Sequence, residues 1–252
     1  MPNDDDVRDR TEDDPLTDPV PEDTSGPSVP EQDAEAGASK AQRGERRGPM
    51  AIAVLGVGIL HEFLPTSFQL AAPWIYPTFL LLFLVVLVIG DPGRMDRDRR
   101  WLRVVTGIMI AVITLVNAFT AIRLVVDIFD PKAFSTAQQL LTIGAVVWGT
   151  NIVAFALWFW DLDGGGAAAR ALGSKRIPPA FIFPEMSNPE HVPAGWYPQF
   201  IDYLAMSFNT GTSFSPTDVS AVRRWAKALM IAESAISLAL ATLVVARAIN
   251  MM

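Results

Sequence analysis

The sequence predicts an all-α integral membrane protein with five transmembrane helices, a re-entrant half-helix before the last of them, and a disordered amino-terminal tail. Three observations carry this expectation. Half of the 252 residues are hydrophobic and the mean hydropathy is +0.28, which is high for a water-soluble chain. Five apolar stretches follow one another from residue 50 onward. The basic residues between those stretches sort to one side of the membrane when the stretches are threaded alternately.

Residues 1–49 form the predicted tail and residues 50–252 the helical membrane domain. The first 48 residues carry 14 Asp or Glu against 6 Lys or Arg, a sum of −8. Removing that from the overall −7 leaves the rest of the chain near +1, so the acidity belongs to the tail. The tail is rich in Pro, Ser and Gly and nearly empty of large apolar side chains, so it cannot bury enough surface to offset its ordering entropy. A partner-binding arm and a simple solvating leader are both compatible with that composition. Arg46 and Arg47 before an apolar run resemble the start of a signal peptide. The 45 or so preceding residues and the later hydrophobic segments argue against cleavage.

The apolar stretches are residues 50–64, 71–90, 104–122, 140–160 and 228–246. A spanning helix needs about 20 residues, with a range of about 17–25. Four stretches meet that length and the first, with 15, falls short. Charge decides in favour of five crossings. With the amino end inside, fifteen Lys or Arg residues fall on the inner side, among them Arg47, Arg100, Arg103, Arg170, Arg224 and Lys227, while the outer side receives only Arg123, Lys132 and Arg247. The chain is therefore expected in the cell membrane as a multi-pass protein, N-terminus cytoplasmic and C-terminus outside. Trp74, Tyr76, Trp101, Trp158, Trp160 and Trp225 all fall at the ends of stretches, where an aromatic ring bridges lipid and water. Trp148 lies inside a span and is assigned to packing.

Between the fourth and fifth stretches, Gly164, Gly165 and Gly166 read as a flexible stop and the following prolines exclude long regular structure. Residues 199–209 then show a short amphipathic helical pattern, too short to cross. The polar segment Thr210, Gly211, Thr212, Ser213 and Phe214 comes next and leads through Ser215, Pro216 and Asp218 to the last stretch. A half-helix, a hydroxyl-rich turn and a full crossing are the parts of a re-entrant pore loop. Ser215, Pro216 and Asp218 also fit a helix start, with serine capping, proline at the first position and a carboxylate near the positive end of the dipole.

From Trp196 to Asn250 the chain resembles a family of actinobacterial multi-pass membrane proteins, on the strength of Asp202-Tyr203-Leu204, the run from Phe214 to Asp218, and the run from Val245 to Asn250. The same region is distantly similar to the pore loop and inner helix of two-helix potassium channels. That likeness implies that residues 212–218 overlie the channel filter and that Glu233 overlies an inner-helix glutamate. The departures are Ser215, Pro216 and Thr217 where a filter carries glycines, and a charge count that puts this loop on the inner face.

Glu233 is the leading single residue, because an ionisable side chain within a span is costly and is retained for structural register or for function. Counting at about 1.5 Å per residue from Trp225 upward and from Trp160 along the fourth stretch places Glu233 at the level of Asn151 and Ile152 and opposite Asn151. Thr210, Gly211, Thr212, Ser213, Phe214 and Asp218 complete the residues expected to line a pore or substrate path. Arg123 and Asp127 are spaced for an ion pair, and His61 and Glu62 read as rim residues. His191 with Glu185 and Glu190 has only weak metal-ligand spacing. Ser234, Ser237, Ala235, Ala239 and Ala241 give the last stretch a small-residue face suited to close packing or a homo-oligomer. With no cysteine, two histidines and no catalytic triad, phosphate loop or nucleic-acid surface, no enzyme, cofactor, metal or nucleic-acid partner is expected. Two functions remain: permeation of an ion or proton past a pore-loop-like hairpin, or a non-transporting scaffold or sensor whose tail or inner loop binds a cytoplasmic protein.

Overall fold

The computed structural model of the chain describes residues 44–91, 100–173, 177–212 and 218–252. The tail through residue 43 and the segment containing Ser213, Phe214, Ser215, Pro216 and Thr217 lie outside the described residues. The described chain is mostly helical. In order, α1 is Gly48–Glu62, α2 Ile75–Gly90, α3 Arg100–Ile128, α4 Ala137–Leu162, α5 Ala167–Ala171, α6 Pro184–Ser187, α7 Phe200–Thr212 and α8 Arg224–Asn250. Two two-residue strands, β1 (Phe181–Ile182) and β2 (Ser220–Ala221), pair antiparallel.

Three helical segments are long and apolar enough to cross a bilayer: Arg100–Ile128, Ala137–Gly165 and Arg224–Asn250. They extend beyond the apolar stretches at both ends because polar residues continue the helical ladder outside the hydrocarbon. The stretch 71–90, long enough in the sequence to cross, yields a helix of only 16 residues. Pro73 precedes it, and Pro77 is tolerated in its first turn because the missing N–H is one of the donors a helix start leaves free. α1, with 15 residues, has Pro49 in its first turn for the same reason. At about 1.5 Å per residue both fall short of a hydrocarbon layer of about 30 Å.

Helix α4 is the centre of the bundle. Sixty-seven per cent of its apolar window is buried, against 33% for α3 and 22% for α8, and it touches α1, α3, α7 and α8. Its start is capped by the Thr136 hydroxyl, which accepts from the Gln139 N–H at 3.1 Å. α8 runs antiparallel to α4, with Ser237 beside Asn151 and Val244 beside Gly144. The outer side of α8 presents Ile231, Leu238 and Val245, seven apart and largely exposed, a stripe that suits lipid and would be unfavourable in water. At the other end of α1 and α2, buried Arg47 binds Asp91 through both its main chain and its side chain, Nε to the carbonyl at 2.9 Å and a 3.2 Å ion pair.

Asp218 does not stand in the first turn of the last helix, and Ser215 and Pro216 lie outside the described residues. α8 begins at Arg224, with Arg223 at the cap position and no side-chain cap. Residues 218–223 form a bend and β2, whose pairing of Ala221 with Phe181 and Ser220 with Ile182 holds this segment extended. The glycines after α4 are also different from a flexible stop. Gly164, Gly165 and Gly166 are buried with φ of +56°, +87° and +93°, and they turn the chain sharply so that α5 packs back on the end of α4. The Pro-rich segment holds only one-turn helices and β1, as its composition requires. Arg123 and Asp127 form the expected pair at 3.6 Å.

The α4–α8 seam is tight enough to test. A Cβ on Gly144 would lie 2.8 Å from Val244 Cγ1, and the branched valine has little freedom to yield. Gly144→Ala is expected to lower stability by about 1–3 kcal/mol through overpacking, despite the better helix propensity of alanine. Val244→Ala should restore it in the double variant, as read by thermal unfolding in detergent.

Candidate functional site

The site is built on α7. Its buried residues are Phe200, Tyr203, Met206, Ser207, Thr210 and Gly211, a stripe with helical spacing that faces α4 and α8, while Ile201 and Phe208 face outward. Asp202 supports the start of the helix by accepting from the Gln199 N–H at 2.8 Å and suits the positive end of the dipole. α7 extends three residues beyond the expected 199–209. Thr210, Gly211 and Thr212 are therefore helical, and the expected hydroxyl-rich turn does not begin with them. Their hydroxyls serve the helix itself: Thr210 Oγ1 donates to the Met206 carbonyl at 2.8 Å and Thr212 Oγ1 to the Asn209 carbonyl at 3.1 Å.

The tip of α7 sits in the α4–α8 seam. Its closing carbonyls, which have no partners within the helix, are met by side chains of the two long helices. Ser234 Oγ donates to the Thr210 carbonyl at 3.2 Å and Trp148 Nε1 to the Gly211 carbonyl at 3.4 Å. Gly211 is required by the approach, since a Cβ there would lie 3.1 Å from Ile152 and 3.3 Å from Ser237 Oγ. Trp148 packs edge-on to Phe208, in line with its assignment to packing.

Glu233 is fully buried in this seam. One carboxyl oxygen makes a very short hydrogen bond with Ser207 of α7, and the Ser207 hydroxyl also lies 2.7 Å from the Ile152 carbonyl of α4. The other carboxyl oxygen has no partner among the described residues. Glu233 thus lies at the level of Ile152, and its hydrogen-bond partner is Ser207 rather than Asn151. Asn151, next to Ile152 on α4, instead meets Ser237, one turn along α8 from Glu233: its Nδ2 donates to Ser237 Oγ at 3.2 Å and its Oδ1 accepts from Asn117 Nδ2 at 3.5 Å. Asp218 is exposed in the bend before β2, away from a lining role.

The hydrogens at Ser207 can be counted. Its hydroxyl carries one hydrogen and faces two acceptors. When that hydrogen serves the Ile152 carbonyl, the contact with Glu233 is complete only if the carboxyl donates a hydrogen of its own. A proton on the carboxyl would therefore complete the hydrogen bonding at Ser207.

The base of α7 carries a second polar cluster that the sequence did not single out. Glu45, counted there as a tail acid, is 2% exposed. It accepts from the Phe200 N–H at 2.5 Å and from Trp160 Nε1 at 2.8 Å. Trp160 therefore finds its partner inside the protein rather than at a headgroup. Asp163 accepts from Tyr203 Oη and the Ala180 N–H, both at 2.5 Å. Arg170 donates to the Trp160 and Asp163 carbonyls and lies over the Tyr203 ring. Burial pushes the Glu45 carboxyl above its ordinary value of 4.5, against the two hydrogen bonds, which favour the charged form. Ser207 was legible in principle as a polar residue on the apolar stripe of α7; nothing in the local sequence marks Glu45. His61 is a correction of a different kind: it is buried against Tyr76, ring centroids 4.4 Å apart, while only its neighbour Glu62 is a rim residue. His191 pairs with Glu190 at 3.1 Å on the surface, and no three His, Asp or Glu side chains converge as a metal site among the described residues.

Three measurements follow from this geometry. Ser207→Ala should cost about 1–3 kcal/mol by leaving the buried carboxyl without its partner. Glu233→Gln retains an N–H donor and should cost less. An infrared carbonyl band of a protonated acid should be present in the wild type and missing in Glu233→Gln; its absence from the wild type would contradict the hydrogen count. For Glu45, a raised folded-state value means that its contribution to stability is present below 4.5 and is lost as pH rises through the folded value. The melting temperature of wild type relative to Glu45→Gln should therefore fall as pH is raised from below 4.5.

No protein-family model, curated protein or solved structure matches the chain.

Proposed function

We propose that this is a five-crossing membrane protein that couples a proton on Glu233 to the seating of a half-helix plug, and so passes protons or a small cation. The observation that carries the reading is the placement of a fully buried carboxyl whose one hydrogen-bond partner among the described residues, Ser207, lies on a helix too short to span. An acid at such a position is costly and is retained where it serves. With the proton present, Ser207 satisfies both the carboxyl and the Ile152 carbonyl. With the proton gone, its single hydrogen is drawn to the carboxylate, the carbonyl loses its donor, and a charge remains in an apolar seam. Proton loss therefore weakens the docking of α7 between α4 and α8.

In this reading α1 and α2 cross as well, through a locally thinned bilayer, and the amino end is cytoplasmic. The ends of the helices that carry Arg47, Arg100, Arg103, Arg170, Arg224 and Lys227 then share the inner face. The direct experiment is ion flux into liposomes containing the purified protein, read with an internal pH dye and with alkali-cation gradients. The wild type should pass protons or a cation and Glu233→Gln should not. If neither moves in the wild type, the permeation reading fails and the scaffold or sensor reading, with α7 as a fixed plug, replaces it. Topology is read separately with single cysteines in a chain that has none of its own. Asn250→Cys should react with an impermeant thiol reagent from outside the cell and Gly48→Cys should not; equal labelling would overturn the five-crossing arrangement.

A further inference from the structure

A second polar site lies toward the opposite end of the bundle, where α1, α2, α3 and α4 meet. His61, Tyr76, Asn117, Thr120 and Thr150 line a cavity of about 10 Å³ with the side chains of valines from α1, α3 and α4. All five polar residues are at least nine-tenths buried. The Tyr76 hydroxyl has no hydrogen-bond partner among the described residues, although a buried phenol ordinarily finds one. We propose that this cavity is a binding site for a single water molecule that ties the short helices α1 and α2 to the polar seam of α3, α4 and α8.

The inventory of donors and acceptors selects the guest. Thr120 Oγ1 gives its hydrogen to the Val116 carbonyl at 3.0 Å, so toward the cavity it is an acceptor. Asn117 gives one Nδ2 hydrogen to Asn151 and keeps the other, together with its Oδ1 acceptor. Tyr76 supplies an O–H to donate. Tyr76 offers a donor, Thr120 an acceptor, and Asn117, His61 and Thr150 groups of both kinds, so the complementary guest must both accept and donate; water does so, and the volume is that of one such molecule. A cation is disfavoured because no carboxylate lines the cavity, and an uncompensated charge at this depth is expensive. An apolar guest would leave Tyr76 and the two acceptors unpaired.

The bound water would fix the Asn117 amide, through it the Asn151 amide, and through that Ser237, which borders the tip of α7 at Gly211. The site stands independently of whether Glu233 carries protons in transport.

The test is solid-state NMR of the full chain in lipid bilayers, with transfer of magnetisation from water to the Asn117 side-chain amide. The wild type should show the transfer, and Tyr76→Phe combined with Thr120→Val, which keeps the shapes and removes the polar atoms, should lose it. Should that double variant fail to fold, Tyr76→Phe alone, which only removes the donor, should weaken the signal. Absence of transfer in the wild type, or an undiminished signal in Tyr76→Phe, would overturn the proposal. Suppression of the wild-type signal when sodium or potassium replaces a large organic cation would also overturn it, by identifying the guest as an ion. No flux is measured, so this result and that of the transport experiment are read separately.

Discussion

Away from water, every main-chain N–H and C=O must find its partner within the protein, and the architecture around α7 follows from that constraint. A helix that ends inside a bundle leaves carbonyls without intrahelical donors at its tip and N–H groups without partners at its base. Here the tip carbonyls receive hydrogens from Ser234 and Trp148, and the first N–H of α7 meets Glu45. Each of these groups comes from a different part of the chain, so the half-helix is held from three sides. The position of α4 is set by the same requirement, since it must present side chains to α7 along its whole length.

The register bears this out residue by residue. Phe200 lies by Trp160, Ser207 by Ile152 and Gly211 by Trp148, so α7 runs antiparallel to α4 with nearly equal rise. On the other side Ser207 meets Glu233, Thr210 meets Ser234 and Gly211 borders Ser237, so α7 runs parallel to α8. Small residues are placed where the backbones approach: Gly211 at the tip of α7 and Gly144 further along α4. Polar and small residues therefore belong to the same seam, and an inserted methyl group and a lost hydrogen bond would act on one structure.

Much of this was legible before any coordinates, for reasons that can be named. Long apolar runs fix long helices because a helix is the economical way to pair a backbone in lipid, and α3, α4 and α8 appear where those runs predict them. Equal rise per residue let Trp160 and Trp225 act as rulers, which brought Glu233 to the level of Ile152. What failed were inferences from local chemistry alone. Asp218 suits the first turn of a helix, but the pairing of β2 with β1 holds the residues after it extended and α8 begins only at Arg224. Glu45 looked like one more acid of a solvated tail because its partners, Trp160 and Phe200, are more than a hundred residues away. His61 looked like a rim residue because its burial depends on Tyr76 of another helix.

The length of α7 explains why a proton could matter to it. A helix of 13 residues is at the margin of stability by itself, so its fold and its position are both supplied by neighbours. Carboxyl groups meet α7 at its base and at its middle, in opposite senses. Glu45 accepts from the N–H of Phe200, so it serves the base as a charged or a neutral acid. At Glu233 the Ser207 hydroxyl has only one hydrogen for two acceptors, so full satisfaction needs a proton on the acid. At the base the Glu45 contact keeps its direction in either protonation state, so the contact at Ser207 is the one that a proton completes. A rigid plug would need no such asymmetry, since an apolar side chain at position 233 would fill the seam with no polar atom to satisfy.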